Sequence, residues 1–380
     1  MKSCYGVLLM AAISLGGAKL GAQGFVNLTD ILRSRLDAVY RIDPQLHAIS
    51  DQGIILGSLG SVHDLDSRQV FILRKSRHGY TPVLLGEYPG CEPVDIGANG
   101  MIVMNATLDG TAQQQAWTIP SHESTEPAPV FRNDGKSRAN AMLGNKVATT
   151  VIIPHSRLEK TDQPGAANAY RQRVHKVHNP EVVTQGYIVD LHDRHVEKAG
   201  FLVAHVYNLS AQVMDLNNKG HYCGQSQGFS SGENMLSVYP YFADQDSTYR
   251  LLDGYQGNAL AINDHDQVVG TWIHPLTGKE YGFFWDRTIA KTSEFDWHDL
   301  LIAMPRAINN LGIVVGKRGE EAFVWQGGQF YALDSVIQDL PAKWKVLDIL
   351  DINDQNRIIG MAEFNSESWW FTSVLTLSTE

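Results

Sequence analysis

Apolar and turn-forming positions alternate along this chain in a pattern that recurs at a nearly constant interval. Each copy has an apolar residue, a short polar or small-residue turn, and then a β-branched or aromatic pair typical of a strand. Counted from the residue after the apolar one, the copies begin at positions 50, 97, 142, 217, 263, 309 and 353. The intervals are 47, 45, 75, 46, 46 and 44 residues, which indicates a repeat architecture.

The fourth residue of each copy defines the predicted turn. It is always Gly, Asn or Asp, the residue types that best tolerate a positive φ. We therefore predict a four-residue hairpin loop in each copy, built on a type I turn that ends in a left-handed residue. The seven predicted structural turn positions are Gly53, Gly100, Asn145, Gly220, Asp266, Gly312 and Asn356.

Each unit continues with further strand-like runs, such as residues 281–285 and 321–325. Four short strands in about 45 residues are typical of a propeller blade. The predicted fold class is all-β, a seven-bladed β-propeller of four-stranded repeats with one insertion after the third repeat. A β-sandwich is the alternative, but nothing in a sandwich requires a fixed period.

The last unit ends soon after Trp370 and lacks a fourth strand of its own, whereas residues 27–32 resemble the missing piece. We predict that this N-terminal segment pairs with the final blade and closes the ring, which leaves no sheet edge exposed at the junction.

The N-terminus reads as a secretory signal peptide over residues 1–22. Lys2 precedes an apolar run at residues 7–15, and small residues follow up to Ala22. That run is too short to span a membrane, and no later stretch is long enough. We expect a secreted or periplasmic protein in which residues 23–380 form a single β-propeller domain. Only Cys91 and Cys223 remain after cleavage, so a disulfide scaffold is not expected, and Cys223 is predicted to be a buried hydrophobe.

Composition narrows the class further. The hydrophobic fraction is 43% and the charged fraction 19%, which favours a folded core over disorder. A formal net charge of −10 argues against a nucleic-acid partner, because phosphate binding needs clustered Lys and Arg.

The insertion, at about residues 154–186, is locally basic on an acidic chain. One interpretation is a solvated surface excursion. The other is a loop that leans over one face of the ring and binds an anionic partner or an acidic patch of the same protein. The candidate binding residues are Arg171, Arg173, His175, Lys176 and His178.

No motif predicts catalysis or a cofactor. Residues 224–228 match the spacing of a nucleophile elbow, but the segment after them is a poor helix start, so we interpret the match as coincidence. The densest histidine group comprises His192, His195 and His205 together with the pair His175 and His178, but nothing in the sequence fixes the convergence of ligands that a metal site requires. We predict no catalytic residue, no metal and no cofactor. Trp272, Tyr239 and Tyr241 are candidates for stacking on a sugar or peptide.

Residues 261–270 followed by residues 282–285, and residues 307–316 followed by residues 322–325, resemble the HAF family of extracellular repeats. The resemblance is good over about residues 214–377 and faint in the first half. The chain departs from the family pattern at Tyr281 and Glu321, where a His usually precedes the Ala-Phe pair. The resemblance implies an exported, propeller-like protein and carries over no catalytic residue.

The sequence therefore favours an exported β-propeller binding module, expected to be a monomer, for an unknown protein or glycan ligand. The alternative is a propeller enzyme of hydrolase or lyase type whose polar residues converge at the axial channel. Acidic or histidine side chains from three or more blades meeting at the axis would favour the enzyme.

Overall fold

A computed structural model describes residues 24–36, 44–60, 67–77, 79–108, 113–120, 126–130, 136–154, 182–200, 205–230, 236–252, 255–290, 298–299 and 303–377. Within these ranges the strands form seven four-stranded antiparallel sheets, as the repeat predicts. The predicted signal peptide and most of the insertion lie outside the described residues.

The chain begins with β1 (Val26–Asn27), and six blades are each built from four strands that are consecutive in sequence. Blade 1 comprises β2 (Gln45–Ile49), β3 (Ile55–Gly60), β4 (Ser67–Ser76) and β5 (Gly79–Pro89). Blade 2 comprises β6 (Glu92–Ile96), β7 (Ile102–Ala106), β8 (Gln115–Ile119) and β9 (Ala128–Pro129). Blade 3 comprises β10 (Ser137–Leu143), β11 (Lys146–Pro154), β12 (Val182–Asp190) and β13 (Val196–Ala199).

Blade 4 comprises β14 (His205–Leu216), β15 (Tyr222–Ser230), β16 (Leu236–Ala243) and β17 (Thr248–Arg250). Blade 5 comprises β18 (Gly257–Ile262), β19 (Gln267–Ile273), β20 (Glu280–Asp286) and β21 (His298–Asp299). Blade 6 comprises β22 (Ala303–Ile308), β23 (Val314–Arg318), β24 (Glu321–Gln326) and β25 (Gln329–Tyr331). Blade 7 comprises β26 (Lys345–Ile352), β27 (Arg357–Phe364), β28 (Glu367–Val374) and, as its outer strand, β1.

The described helices are short: α1 (Leu28–Leu36), α2 (Arg287–Ala290) and α3 (Leu333–Val336). Within the described part of the chain, none of them has the length and apolar character that crossing a membrane requires.

The first strand of every blade is the innermost one. Each first strand contacts the first strands of both neighbouring blades, and β26 of blade 7 contacts β2 of blade 1, so the seven inner strands close around an axis. Apolar side chains fill the space between blades. Between blades 5 and 6, for example, Phe284 and Trp325 pack with ring centroids 4.8 Å apart in a buried cluster.

The repeated turns join the first and second strands of each blade and lie on one face of the ring, here called the turn face. Six of the seven predicted turn positions have a positive φ: Gly53, Gly100, Gly220, Asp266, Gly312 and Asn356. Asn145 is an error in the prediction. In that copy the left-handed residue is Gly144, because β10 and β11 are joined by a two-residue turn instead of a four-residue one.

The glycine that ends each repeat has a different role from the turn glycines. At Gly270 an added Cβ would collide with the carbonyl oxygen of Asn258, and at Gly316 with that of Met304. Both sites lie beside a β-bulge of the inner strand, where the two backbones approach too closely for a side chain.

The asparagine of the repeat links neighbouring blades as well as shaping its own turn. Asn263 illustrates the arrangement: its Oδ1 accepts the N–H groups of His265 and Gln267, and its Nδ2 donates to the carbonyl of Asn309 in the next blade at 2.9 Å. The same cross-blade bond is made by three other copies, from Asn217 to Asn263, from Asn309 to Asn353, and from Asn353 to Ser50. We call these four bonds the asparagine ladder. Its last bond joins blade 7 to blade 1.

Ring closure by the N-terminal segment is observed, with a shorter strand than expected. Val26 and Asn27 pair with Thr372 and Phe371, whereas the chain from Leu28 onwards forms α1. Phe25 stacks on Phe371 with ring centroids 4.9 Å apart. The N-terminal segment is therefore an integral part of blade 7.

Candidate functional site

The inner turns bring a ring of polar side chains together where the axis opens on the turn face. The second residue of the turn is acidic or an amide in five blades: Asp51, Asn218, Asp264, Asn310 and Asp354. Four of them accept the backbone N–H of their predecessor in the ring. Asn218 donates to Asp264 at 2.8 Å, Asp264 to Asn310 at 2.7 Å, Asn310 to Asp354 at 2.8 Å and Asp354 to Asp51 at 3.2 Å.

Amide side chains separate the acids of this ring. Asn310 Nδ2 donates to Asp264 Oδ2 at 2.8 Å and to Asp354 Oδ2 at 2.6 Å, and Asn218 Nδ2 donates to Asp264 at 2.8 Å. Repulsion between the carboxylates persists, because burial first, and then Asp51 and Asp264, raise the pKa of Asp354.

A second set of carboxylates lies deeper, on the bulges of the inner strands. Asp351 Oδ1 accepts the N–H of Ile352 at 2.8 Å, and its Oδ2 accepts the N–H of Ile49 in the next blade at 2.9 Å. Asp95 makes the same pair of bonds to Ile96 and Met142, and Asp215 to Leu216 and Ile262. We call Asp95, Asp215 and Asp351 the inner acids. Each one ties two blades together.

The inner acids interact across the axis. Burial raises the pKa of Asp351 to about 8, against the two N–H donors, and the charges of Asp95 and Asp215 raise it further. Burial likewise raises the pKa of Asp215 to about 7, with Asp95 and Asp264 acting in the same direction. These residues belong to blades that are not neighbours, so their mutual repulsion acts through the centre of the ring.

The inner acids predict a stability that falls as the pH rises from about 4 to about 8 and levels off above that range. Their folded-state pKa values lie above the ordinary value of 3.8, so in this window the native state binds more protons than the unfolded state. The thermal midpoint should therefore decrease by several degrees as the pH rises. Asp351→Asn should flatten that slope, whereas Asp246→Asn, at an exposed turn, should leave it unchanged. Equal slopes for wild type and Asp351→Asn would contradict this assignment.

A separate ionic cluster lies on the turn face between blades 4 and 5. Asp266 accepts from Asn217 Nδ2 at 2.9 Å, from Lys219 Nζ at 3.1 Å and from His221 Nδ1 at 2.8 Å. Burial alone would raise its pKa, but these hydrogen bonds lower it overall. Arg287 bridges Asp266 to Asp244 and lies over the ring of Phe242. Because its charges are paired with one another, this cluster serves to join the two blades.

The binding residues proposed from the sequence differ from the residues that form the acidic opening and the inner acids. Arg171, Arg173, His175, Lys176 and His178 lie outside the described residues, so their binding role stays a prediction. The strands flanking the insertion, β11 and β12, place its two ends on the face opposite to the turn face.

The remaining candidates are internal to the fold. Ser226, the centre of the elbow-like segment, is fully buried in the middle of β15, which continues as strand to Ser230 instead of turning sharply after the serine. Trp272, Tyr239 and Tyr241 are 5%, 3% and 0% exposed, so they are core residues and not stacking platforms. Cys91 and Cys223 are free and buried. Among the described residues, no group of three or more His, Cys, Asp or Glu side chains is placed to hold a metal ion.

The inner acids have a sequence signal that was missed. In three copies an Asp stands directly before the apolar residue of the repeat, where the other four copies have Ala48, Asn140, Ala261 and Ala307. The three acids are thus charged residues on the innermost strand, where the other four copies have small or uncharged residues. This difference between copies is the sequence signal for the inner acids.

Comparison with known proteins supports the architecture. A scan against protein-family models finds no match, and no curated protein matches the chain in sequence. Among solved structures, the β-propeller domain of the Trilobed protease from Pyrococcus furiosus is similar over 88% of this chain and 94% of its own, with a TM-score of 0.53 and 8% identity. The chain is a seven-bladed β-propeller.

A second similar structure comes from a study of two prolyl endopeptidases. It matches 95% of this propeller but only 53% of the endopeptidase chain, with a TM-score of 0.51 and 10% identity. This chain thus spans about half the length of that enzyme. The propeller fold implied by the HAF resemblance is found, whereas no family model supports HAF membership itself.

Proposed function

We propose that this propeller is a binding module whose acidic axial opening takes a ligand carrying ammonium or guanidinium groups, such as a basic peptide segment. The observation that carries the proposal is the placement of six carboxylates along one axis: Asp51, Asp264 and Asp354 at the opening, and Asp95, Asp215 and Asp351 below them. Acids that raise one another's pKa create a local negative potential, which a cation relieves.

An organic cation fits this site better than a metal ion. The carboxylate oxygens of the inner acids already accept backbone N–H groups, and the acids at the opening accept amide donors. Among the described residues no trio of metal-ligating side chains converges. A spread-out ring of partly satisfied carboxylates suits a ligand that is attracted by charge and held by several contacts.

Acidic side chains from three or more blades that meet at the axis also favour an enzyme. A propeller enzyme is therefore the second candidate. A carboxyl group whose pKa is near 7 can act as a general acid or base. Binding ranks first because both oxygens of each inner acid accept backbone N–H groups. The export predicted from residues 1–22 forms part of the same proposal.

Titration calorimetry with a short Lys/Arg peptide, with spermidine and with Ca²⁺ tests the proposal. We expect salt-sensitive binding of the peptide and spermidine, weakened about tenfold by the double variant Asp51→Asn, Asp354→Asn. Asn already occupies the corresponding position at Asn218 and Asn310, so the turn geometry should tolerate the change. A matched control removes two exposed acids, by Glu87→Gln and Glu320→Gln. Equal weakening by the control, or no binding of either organic cation, would refute the site.

A further inference from the structure

A buried positive charge lies where blade 7 meets blade 1, here called the closure seam. Arg357 is the first residue of β27 and is 4% exposed. Its side chain lies beside the first turn of blade 1, because a Cβ added at Gly53 would stand 3.7 Å from Arg357 Cδ and 3.9 Å from its Nε. A guanidinium group does not lose its proton in a protein, so this charge is permanent.

No carboxylate among the described residues forms an ion pair with the Arg357 guanidinium. The acid of the adjoining turn, Asp51, accepts the N–H of Asp354 instead. The half-buried Arg287, in contrast, pairs with Asp244 and Asp266. Burying a charge without a counter-ion is costly, and the described residues of the seam supply no anionic acceptor for Arg357.

Two further donors face the same point from blade 1. Lys75 of β4 and Tyr80 of β5 are directly opposite each other in the sheet. Tyr80 belongs to the same buried cluster as Ile359 of β27, and burial, then the charge of Arg357, lower the pKa of the exposed Lys75 beside it. The Tyr80 hydroxyl is buried with no hydrogen-bond partner among the described residues. Burial raises its pKa, while the neighbouring Arg357 and Thr372 act in the opposite direction.

We propose that the closure seam binds a tetrahedral oxyanion, phosphate or sulfate, either free or as the terminal group of a larger molecule. Arg357 supplies a planar fork of N–H donors, Lys75 a second positive charge and Tyr80 an O–H donor. Two cationic groups match a doubly charged anion better than a single carboxylate. Because the donors belong to blades 7 and 1, the bound anion joins the two ends of the ring. This site is independent of the acidic axial opening, which takes ligands of the opposite charge.

The first test compares salts at equal ionic strength, at pH 7.5, by thermal unfolding of the full chain. Sodium phosphate and sodium sulfate are expected to raise the midpoint in a saturable manner, by a few degrees, whereas sodium acetate and sodium chloride are not. Lys75→Met should weaken the apparent phosphate affinity about tenfold. Lys279→Met, at an exposed lysine, should not change it. Equal midpoints in phosphate and chloride would overturn the site.

Arg357→Met supplies a signature that a purely structural arginine would not give. The variant should lose the phosphate response and, in phosphate-free buffer, be at least as stable as wild type, because an uncompensated buried charge has been removed. A retained phosphate response would refute the proposal. Should this variant fail to fold, Tyr80→Phe removes only the hydroxyl and should weaken phosphate binding several-fold. A phosphoserine peptide used in place of phosphate distinguishes a terminal phosphoryl group from the free ion.

Discussion

Deletion of residues 24–36 is expected to lower the midpoint of thermal unfolding by about 10 °C or more. The deletion removes β1, which pairs with β28, and with it the buried side chains of Leu28 and Leu32. It also removes the Thr29 hydroxyl that accepts the N–H of Trp370 at 2.8 Å, and the stacking of Phe25 on Phe371. Blade 7 would be left with an unpaired outer edge beside exposed apolar surface.

Point variants separate this effect from nonspecific damage. Leu32 is 2% exposed, and Leu32→Ala should cost about 2–4 kcal/mol of unfolding free energy. Ser34→Ala, on the exposed side of the same helix, should cost less than about 0.5 kcal/mol. Chemical denaturation of the three proteins measures the differences. A deletion variant with the wild-type midpoint would show that β1 contributes nothing to ring closure.

Replacing Asn353 by Ala should destabilise the protein by about 3 kcal/mol. This side chain is 4% exposed and makes three hydrogen bonds: Nδ2 donates to Ser50 O at 2.9 Å, and Oδ1 accepts the N–H groups of Gln355 and Arg357 at 3.1 Å and 2.9 Å. Ala removes these partners, and two of the three backbone groups, those of Ser50 and Arg357, belong to buried residues. It also removes the last bond of the asparagine ladder, the one that joins blade 7 to blade 1.

Asn258→Ala is the matched control for that change. Asn258 is half-buried on the inner strand of blade 5 and, among the described residues, has no side-chain hydrogen bond. Its loss should change the unfolding free energy by about 0.5 kcal/mol or less. Similar losses for the two variants would mean that Asn353 acts only through its own packing and not through the ladder.

The architecture could be predicted from the sequence because it depends on a local residue pattern that is repeated seven times. A left-handed fourth residue, an apolar residue before the turn and strand pairs after it are all readable in one chain. The third copy was misplaced by one residue, since Gly144 and Asn145 both tolerate turns and only strand pairing shows which of them has the positive φ. Likewise, residues 28–32 were expected to be strand, but their apolar spacing also suits the short helix that packs on β28 and β5.

Much less of the candidate site could be predicted from the sequence, because the site depends on contacts between repeat units. The asparagine was read as a turn residue, and its bond to the next blade appears only when two turns are placed side by side. The inner acids stand at ordinary-looking strand positions, and their coupling arises from the closed ring. Arg357 occupies the residue after the turn, where Ile54 and Ile313 are apolar, and nothing in the sequence shows that it lacks a counter-ion.

The pairing of β1 with β28 also governs the order in which the protein can be assembled. β1, the first of the described strands to be synthesised, pairs with β28, the last of them, at Phe371 and Thr372. Blades 1 to 6 can each complete their own hairpins as the chain emerges, but blade 7 has no outer strand until residues 26–27 return to it. The two halves of the seam therefore meet only when translation of the final blade is complete. A ribosome stalled before β28 holds an open arc of blades, with its N-terminal strand still free to pair with a neighbouring chain.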